Sequence, residues 1–253
     1  MIVTFLGTGT SQGIPVIGCD CAVCRSNNLK DNRLRTSIHI THQHKSFVID
    51  TGPDFRQQML RENILNLDFV LFTHHHKDHI AGMDDIRSYN FKLKKSIPIY
   101  ANRDTIFQLE NEYPYIFSPN GYGGAPRIEI NEIYNKPFNA QEIDIIPVEV
   151  LHHQLTVLGF RIDQFTYITD ANQIPAQELE KIKGTRVLVI NALQKTHHIS
   201  HFSLLQALDE INKIKPEKAY ITHLSHKMGL HEEVSNELPP HVFLAYDGLK
   251  LEI

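Results

Sequence analysis

Short apolar runs, each closed by a polar or glycine-bearing turn, dominate the first half of the chain: Ile2 to Leu6, Thr36 to Ile40, Ser46 to Ile49, Phe69 to Phe72 and Ile97 to Tyr100. Runs this short and this rich in β-branched and aromatic residues predict strands. Helical spacing enters between them at Phe55 to Glu62 and His79 to Tyr89, and later at Ala176 to Lys183 and His201 to Ile214. In the last of these, Phe202, Leu205, Leu208 and Ile211 recur at helical intervals. Strand patterns return at Ile143 to Val150, Leu158 to Ile162, Phe165 to Ile168, Val187 to Ile190 and Ala219 to Ile221. The interleaving predicts an α/β chain with two sheets, each covered by helices on its outer face. No long Pro/Ser/Gly linker divides it, so residues 1–253 are expected to form one domain. The segment Asn111 to Arg127, around SPNGYGGAP, predicts a long loop.

Composition narrows the classes. With 253 residues and 42% hydrophobic content, the chain is long enough for a large core. Its net charge of -4 argues against non-specific capture of a nucleic-acid backbone. No apolar run approaches the roughly 20 residues that cross a bilayer, and no basic leader or cleavage site precedes Ile2, so a cytoplasmic protein is expected. The three cysteines, Cys19, Cys21 and Cys24, fall within six residues, a spacing that suits metal capture better than a disulfide framework. There are 16 histidines, and most lie in clusters.

The decisive stretch is LDFVLFTHHHKDHIAG, where the strand Phe69 to Phe72 runs into His74, His76, Asp78 and His79 and then a helix. Four metal-capable side chains at a rigid strand-to-helix turn can be divided between two adjacent ions, His74 and His76 to one, Asp78 and His79 to the other. On that division His75 points elsewhere.

The HxHxDH run from His74 to His79 resembles the signature of the metallo-β-lactamase superfamily. That resemblance implies an αββα sandwich of two mixed sheets covered by helices. It also implies an acid after an early strand, matched by Asp50 in FVIDTG, and a third histidine for the first ion, His152 or His153, with His153 favoured by its spacing to Gly159-Phe160. Asp170 in YITDAN matches the acid that bridges both ions, and His223 in AYITHLSH the late histidine of the second. Both follow strands, where the other ligands gather.

Within the superfamily, FLGTGTSQGIPVIGCDCAVC, IDTGPDFRQQ, TDAN and LAYDGLKLEI resemble the phosphoribosyl cyclic phosphate phosphodiesterase (PhnP-like) branch across nearly the whole chain. The likeness is weakest over residues 103 to 140, and 84 to 140 holds the positions expected to shape the substrate pocket. Pyrroloquinoline quinone pathway protein B shares the CxCxxC feature but is longer. The resemblance implies that Cys19, Cys21, Cys24 and His226 bind a structural zinc, a closed tetrahedral set that serves folding. It implies a small-molecule phosphodiester substrate, linear or cyclic; a homodimer is the one protein partnership in view, and no membrane or nucleic-acid partner is expected. Two divalent ions, zinc or manganese, would be bridged by Asp170 and supply a hydroxide that attacks phosphorus. Asp78 and His201 are the expected catalytic residues, with His201 in HHISHFSL as general acid and His198 as the local alternative. Asp85, Arg87 and Tyr122 are weaker candidates for substrate contact.

Two other readings use the same residues. A thioesterase or lactonase would direct the same hydroxide at a carbonyl, and a non-hydrolytic protein would carry metal for binding or redox work. A transfer-RNA 3′ nuclease would want a long basic arm, which the sequence lacks.

Overall fold

The computed structural model describes residues 1–118 and 123–253. Its strands are β1 (Ile2–Gly7), β2 (Ser37–His42), β3 (Lys45–Ile49), β4 (Phe69–Leu71), β5 (Ile97–Ala101), β6 (Ile128–Glu132), β7 (Phe138–Ala140), β8 (Ile143–His152), β9 (Leu155–Ile162), β10 (Phe165–Tyr167), β11 (Val187–Asn191), β12 (Lys218–Thr222), β13 (Val242–Leu244) and β14 (Lys250–Glu252). They form two seven-stranded sheets, ordered β14-β1-β2-β3-β4-β5-β6 and β13-β12-β11-β10-β9-β8-β7. Both are mixed: pairing is antiparallel from β14 to β3 and parallel from β3 to β6, and likewise antiparallel from β7 to β10 and parallel from β10 to β13.

The helices are α1 (Phe55–Arg61), α2 (Lys77–Ile80), α3 (Arg87–Leu93), α4 (Arg103–Glu112), α5 (Pro114–Phe117), α6 (Ala176–Lys181), α7 (Leu204–Ile214) and α8 (His231–Glu237). One apolar cluster fills the space between the sheets, with Phe5, Phe47, Phe69, Phe160, Phe165 and Tyr167 at its centre. A second lies under α1, α3 and α4 and a third under α7 and α8. The strands β4 and β5 are therefore buried on both faces, which is why their sequences are continuous apolar runs instead of alternating ones. This is the αββα sandwich of the metallo-β-lactamase fold, and among the described residues no helix is long and apolar enough to cross a membrane.

Three sequence expectations need correction. The helical pattern from His79 to Tyr89 is broken into α2, a 3₁₀ turn at Met83–Ile86 and α3. The interruption falls at Gly82, where a Cβ would meet the Gly52 carbonyl at 2.1 Å. Residues from His201 to Ser203 are not helical: α7 begins at Leu204, because Ser203 and Gln206 form a reciprocal capping box there. The loop expected from Asn111 begins later, since α4 runs to Glu112 and α5 follows; residues 119–122 of that segment lie outside the described residues.

Gly52 and Gly82 position the site. Thr51 N–H donates to His79 O at 2.8 Å, Gly82 N–H donates to Thr51 O at 2.8 Å, and a Cβ on Gly52 would lie 2.2 Å from Asp78 O. The turn after β3 is thus laid directly on α2. Gly52→Ala is expected to cost about 1–3 kcal/mol through overpacking, because backbone on both sides has nowhere to move. A urea unfolding curve checks this, and a wild-type midpoint would contradict the close packing.

Candidate metal centre

The parallel strands end on one rim, where open α/β sheets gather their functional groups. Asp50 follows β3, His74 and His76 follow β4, Asp170 follows β10 and His223 follows β12. Three of these, Asp50, Asp170 and His223, adopt left-handed backbone with φ of 67°, 52° and 57°. Such conformations cost on the order of 1 kcal/mol or more each and persist where surrounding structure enforces them. Here they turn the side chains off the sheet ends toward one point.

Asp170 stands at that point and is buried. Its Oδ2 lies 3.6 Å from His74 Nε2 and 3.3 Å from His79 Nε2, and its Oδ1 lies 2.9 Å from His223 Nε2. His74 Nε2 is 3.0 Å from His76 Nδ1, while Asp78 Oδ2 is 3.3 Å from His79 Nε2 and 3.5 Å from His223 Nε2. Two half-sites result. One gathers His74 and His76 with Asp170, the other Asp78, His79 and His223 with Asp170.

The remaining donor corrects the sequence reading. His153 is exposed and in left-handed backbone, turned away from the cluster. His152, the last residue of β8, is buried instead, with its ring centroid 5.2 Å from that of His76 and 6.0 Å from that of His74. The end of the strand decides between neighbours: His152 closes β8 on the buried face of Val148 and Val150, and the left-handed turn that starts at His153 carries the next side chain outward. It is thus His152, and not His153, that stands beside the first half-site, where its ring nitrogen also groups with Asp170 and His201.

Hydrogen bonds fix which nitrogen faces inward. His152 Nδ1 lies 2.7 Å from the Ser200 carbonyl, which can only accept, so the proton sits on Nδ1 and the Nε2 lone pair is free. Thr73 donates its hydroxyl to Asp50 Oδ2 at 2.8 Å and thereby accepts from His74 Nδ1–H at 3.0 Å. Asp50 also accepts from His79 Nδ1–H at 2.8 Å and from Thr73 N–H at 2.8 Å. These are the outer partners that orient metal-binding imidazoles and raise their basicity. Thr73 and Ser200 were not found from sequence: the first is a plain neighbour of His74, and the second acts through a carbonyl that every residue has.

The electrostatics favour cations. Burial opposes charge on Asp170, but His223 and His79 hold its carboxyl well below the usual range. Burial likewise opposes charge on His223, yet the carboxylates of Asp170 and Asp78 hold it up at about 9, and His79 is raised well above its ordinary value by Asp78, Asp170 and Asp50. Protons on these imidazoles neutralise the carboxylates, which is what a bound divalent ion does. Both His79 Nε2 and His223 Nε2 are buried and meet the carboxylates only as close charges, without hydrogen-bond geometry, so the donor set has inward atoms that a metal pair would satisfy.

A second cluster lies close by. The sulfurs of Cys19, Cys21 and Cys24 stand 3.2, 3.4 and 3.6 Å from His226 Nδ1. A tetrahedral zinc with ordinary bond lengths places sulfur and nitrogen ~3.5 Å apart, so these four fit one such ion. The backbone N–H of Cys24 brings the Cys21 thiol down to about 6, while burial pushes Cys24 up to about 11. The chain between His223 and His226 is clasped by the glycine-rich turn after β1: Leu224 N–H donates to Thr8 O at 2.9 Å and Thr10 N–H to Leu224 O at 3.0 Å.

Of the other expected residues, His201 is buried beside the cluster, its ring centroid 4.5 Å from that of His152 and 4.9 Å from that of His223, with Nδ1 unpartnered. Burial, with His223 adjacent, pushes its imidazole down to about 3. His198 is half-buried, 5.3 Å from His201 between ring centroids. Arg87 is engaged by Asp84, which also accepts from the Tyr115 hydroxyl, and burial together with Asp84 raises the Asp85 carboxyl. Neither Asp85 nor Arg87 joins the donor clusters. Tyr122 lies outside the described residues.

The metal-replete protein is expected to carry about three divalent ions per chain, and His152→Ala to lose one that His153→Ala retains. Metal analysis of the dialysed variants reads this directly, and equal retention by both would overturn the placement of His152. Cys21→Ala should lose a different ion and lower the unfolding midpoint, because a structural zinc contributes folding free energy. A variant with full metal load and an unchanged midpoint would mean that the cysteines hold no zinc.

Residues 45–224 match the model of the beta-lactamase superfamily domain. Over 248 residues the chain is 39% identical to an octanoyltransferase of Porphyromonas gingivalis (strain ATCC BAA-308 / W83), an alignment covering 97% of this chain and 50% of that protein, so the chain spans about half the length of this relative. A diphosphatase of the PhnP family superposes over 100% of this chain and 97% of its own, with a TM-score of 0.93 and 38% identity. Zinc-bound PqqB from Methylobacterium extorquens covers 100% of both chains at a TM-score of 0.80 and 16% identity, and shares the fold. Fold, donor clusters and family model agree: the chain belongs to the metallo-β-lactamase superfamily and is PhnP-like.

Proposed function

We propose that the chain is a two-metal hydrolase that acts at phosphorus, cleaving a small linear or cyclic phosphodiester or a diphosphate linkage. The observation that carries this reading is the pair of half-sites joined through one carboxylate, Asp170, with the unpartnered imidazole of His201 beside them. In-line displacement at phosphorus needs charge on both entering and leaving oxygens and a proton for the latter. The diphosphatase likeness supports the same centre of attack.

The residues divide the work. His74, His76, His152 and Asp170 would hold one ion, zinc or manganese, and Asp78, His79, His223 and Asp170 the other. When bound, such a pair supplies positive charge to the phosphoryl oxygens and brings water toward deprotonation near neutral pH. Asp50 and Thr73 keep His79 and His74 aimed inward. His201 donates the proton to the leaving oxygen: alone it is held neutral by burial, and an anionic phosphate docked beside it favours the imidazolium. Nothing in this scheme calls for nucleic acid or a membrane.

The name of the Porphyromonas gingivalis relative gives a second reading, attack on an acyl carbonyl, although that name describes a protein of twice this length. Bis(p-nitrophenyl) phosphate, ribose 1,2-cyclic phosphate, cyclic nucleotides, a diphosphate diester, an octanoyl thioester and a lactone separate the two. Phosphorus substrates should turn over well ahead of the acyl compounds, and the reverse order would overturn the proposal.

His201→Ala tests the proton. A general acid contributes about 10² to 10⁴-fold, most where the leaving group is a poor one. Turnover of an alkyl phosphodiester should fall by that much and turnover of a p-nitrophenyl ester far less, since nitrophenolate departs unprotonated. Metal content should hold. Equal losses on both substrates would remove the acid role, and loss of metal would make His201 a ligand.

A further inference from the structure

The proposed chemistry needs two separate segments held at a fixed spacing: the end of β8 with its following turn, which carries His152, and the segment from His198 to Phe202 that carries His201. One side chain touches both. Asn172, two residues beyond Asp170, accepts at Oδ1 from His153 N–H at 2.9 Å and donates from Nδ2 to the Ile199 carbonyl at 3.1 Å. Its own N–H donates to Leu151 O at 2.8 Å, and Leu151 N–H donates to Gln173 O at 2.9 Å, so its backbone is stitched to β8. On the far side of His201, Phe202 N–H donates to Ala171 O at 2.7 Å. The segment bearing His201 is therefore pinned at Ile199 and at Phe202 by two consecutive residues. Between those pins, the Ser200 carbonyl receives the Nδ1 proton of His152.

We propose that Asn172 is a positioning residue that sets His152 and His201 relative to one another. A carboxamide suits the task because it presents an acceptor to one turn and a donor to the other on a single planar head. Aspartate keeps the shape and the acceptor but turns a carboxylate oxygen on the Ile199 carbonyl, so it repels the segment that holds Ser200 and His201. Displacing the Ser200 carbonyl frees the His152 ring, an outer-partner loss that typically costs 10- to 100-fold in metal affinity or activity. The effect should fall on the half-site of His74, His76 and His152 and spare that of Asp78, His79 and His223.

Cobalt(II) titration of the metal-free protein, followed by visible absorption, tests this, with His152→Ala and His223→Ala marking which binding phase belongs to which half-site. In Asn172→Asp the phase that His152→Ala abolishes should weaken about 10-fold or more. The phase that His223→Ala abolishes should keep its midpoint. The inference also rests on the proposed role of His201 for a second readout: Asn172→Asp should depress alkyl phosphodiester turnover more than p-nitrophenyl turnover. If His201→Ala shows no such discrimination, the proton-donor reading falls and the cobalt titration alone decides on Asn172. A folded Asn172→Asp protein with both cobalt phases at wild-type midpoints overturns the inference. Should Asn172→Asp not fold, Asn172→Ala deletes both side-chain bonds without adding charge, and the same two outcomes apply.

Discussion

A carboxylate buried like Asp170 stays ionised only if cationic charge is placed beside it, and most of the site follows from that requirement. Asp50 and Asp78 are buried with it, so three acids share one small volume. Without a metal, protonated His79 and His223 compensate them; with one, those protons must leave. The same demand explains why left-handed backbone is tolerated at Asp50, Asp170 and His223. The conformational cost of each is small beside that of a buried acid with no partner.

Most of the imidazoles in the cluster are anchored through their second nitrogen: His74 by Thr73, His79 by Asp50 and His152 by Ser200. His223 differs, for its Nδ1 has no partner. It is held by its backbone instead, between the end of β12 and the clasp of Thr8 and Thr10 on Leu224. His226 follows at once, within reach of the three cysteine sulfurs. An ion held by the three cysteines and His226 would brace the loop that follows His223, and so would bear on the site without touching substrate.

A buried arginine ties this corner to the rest of the molecule. Arg33 donates from Nη1 to the Thr8 hydroxyl at 2.7 Å and to the Ala245 carbonyl at 2.6 Å, and Nη2 lies 3.1 Å from His231 Nδ1. Burial, with Arg33 adjacent, pushes His231 down to about 4, so it is neutral and can accept that bond. Asp31 accepts from His231 N–H at 2.7 Å and from the Ser26 hydroxyl at 2.6 Å. The segment after the cysteines, the glycine-rich turn and the last strands are thus joined through polar groups that satisfy one another, as buried networks must.

The sequence by itself determined the elements with the strongest local signal. Apolar runs such as FVLF and VLVI placed β4 and β11 within a residue, and the strand-to-helix run from His74 to His79 marked the centre of the site. Strand ends supplied Asp170 and His223 because a residue leaving a parallel strand has few places to point. What depended on neighbours far along the chain was not legible. The choice of His152 over His153 turned on where β8 ends and which of its faces is buried there: His152 shares the buried face of Val148 and Val150, while His153 begins the turn in left-handed backbone, and two adjacent histidines encode neither fact. The break after Ile80 required Gly52 to lie against Gly82, thirty residues apart, and the bonds from Asn172 and Ser200 required two distant turns to meet. Local periodicity reports on burial along one segment, whereas the partner of a backbone carbonyl or a side-chain amide is fixed only when separate segments pack, and there the tertiary structure alone decided.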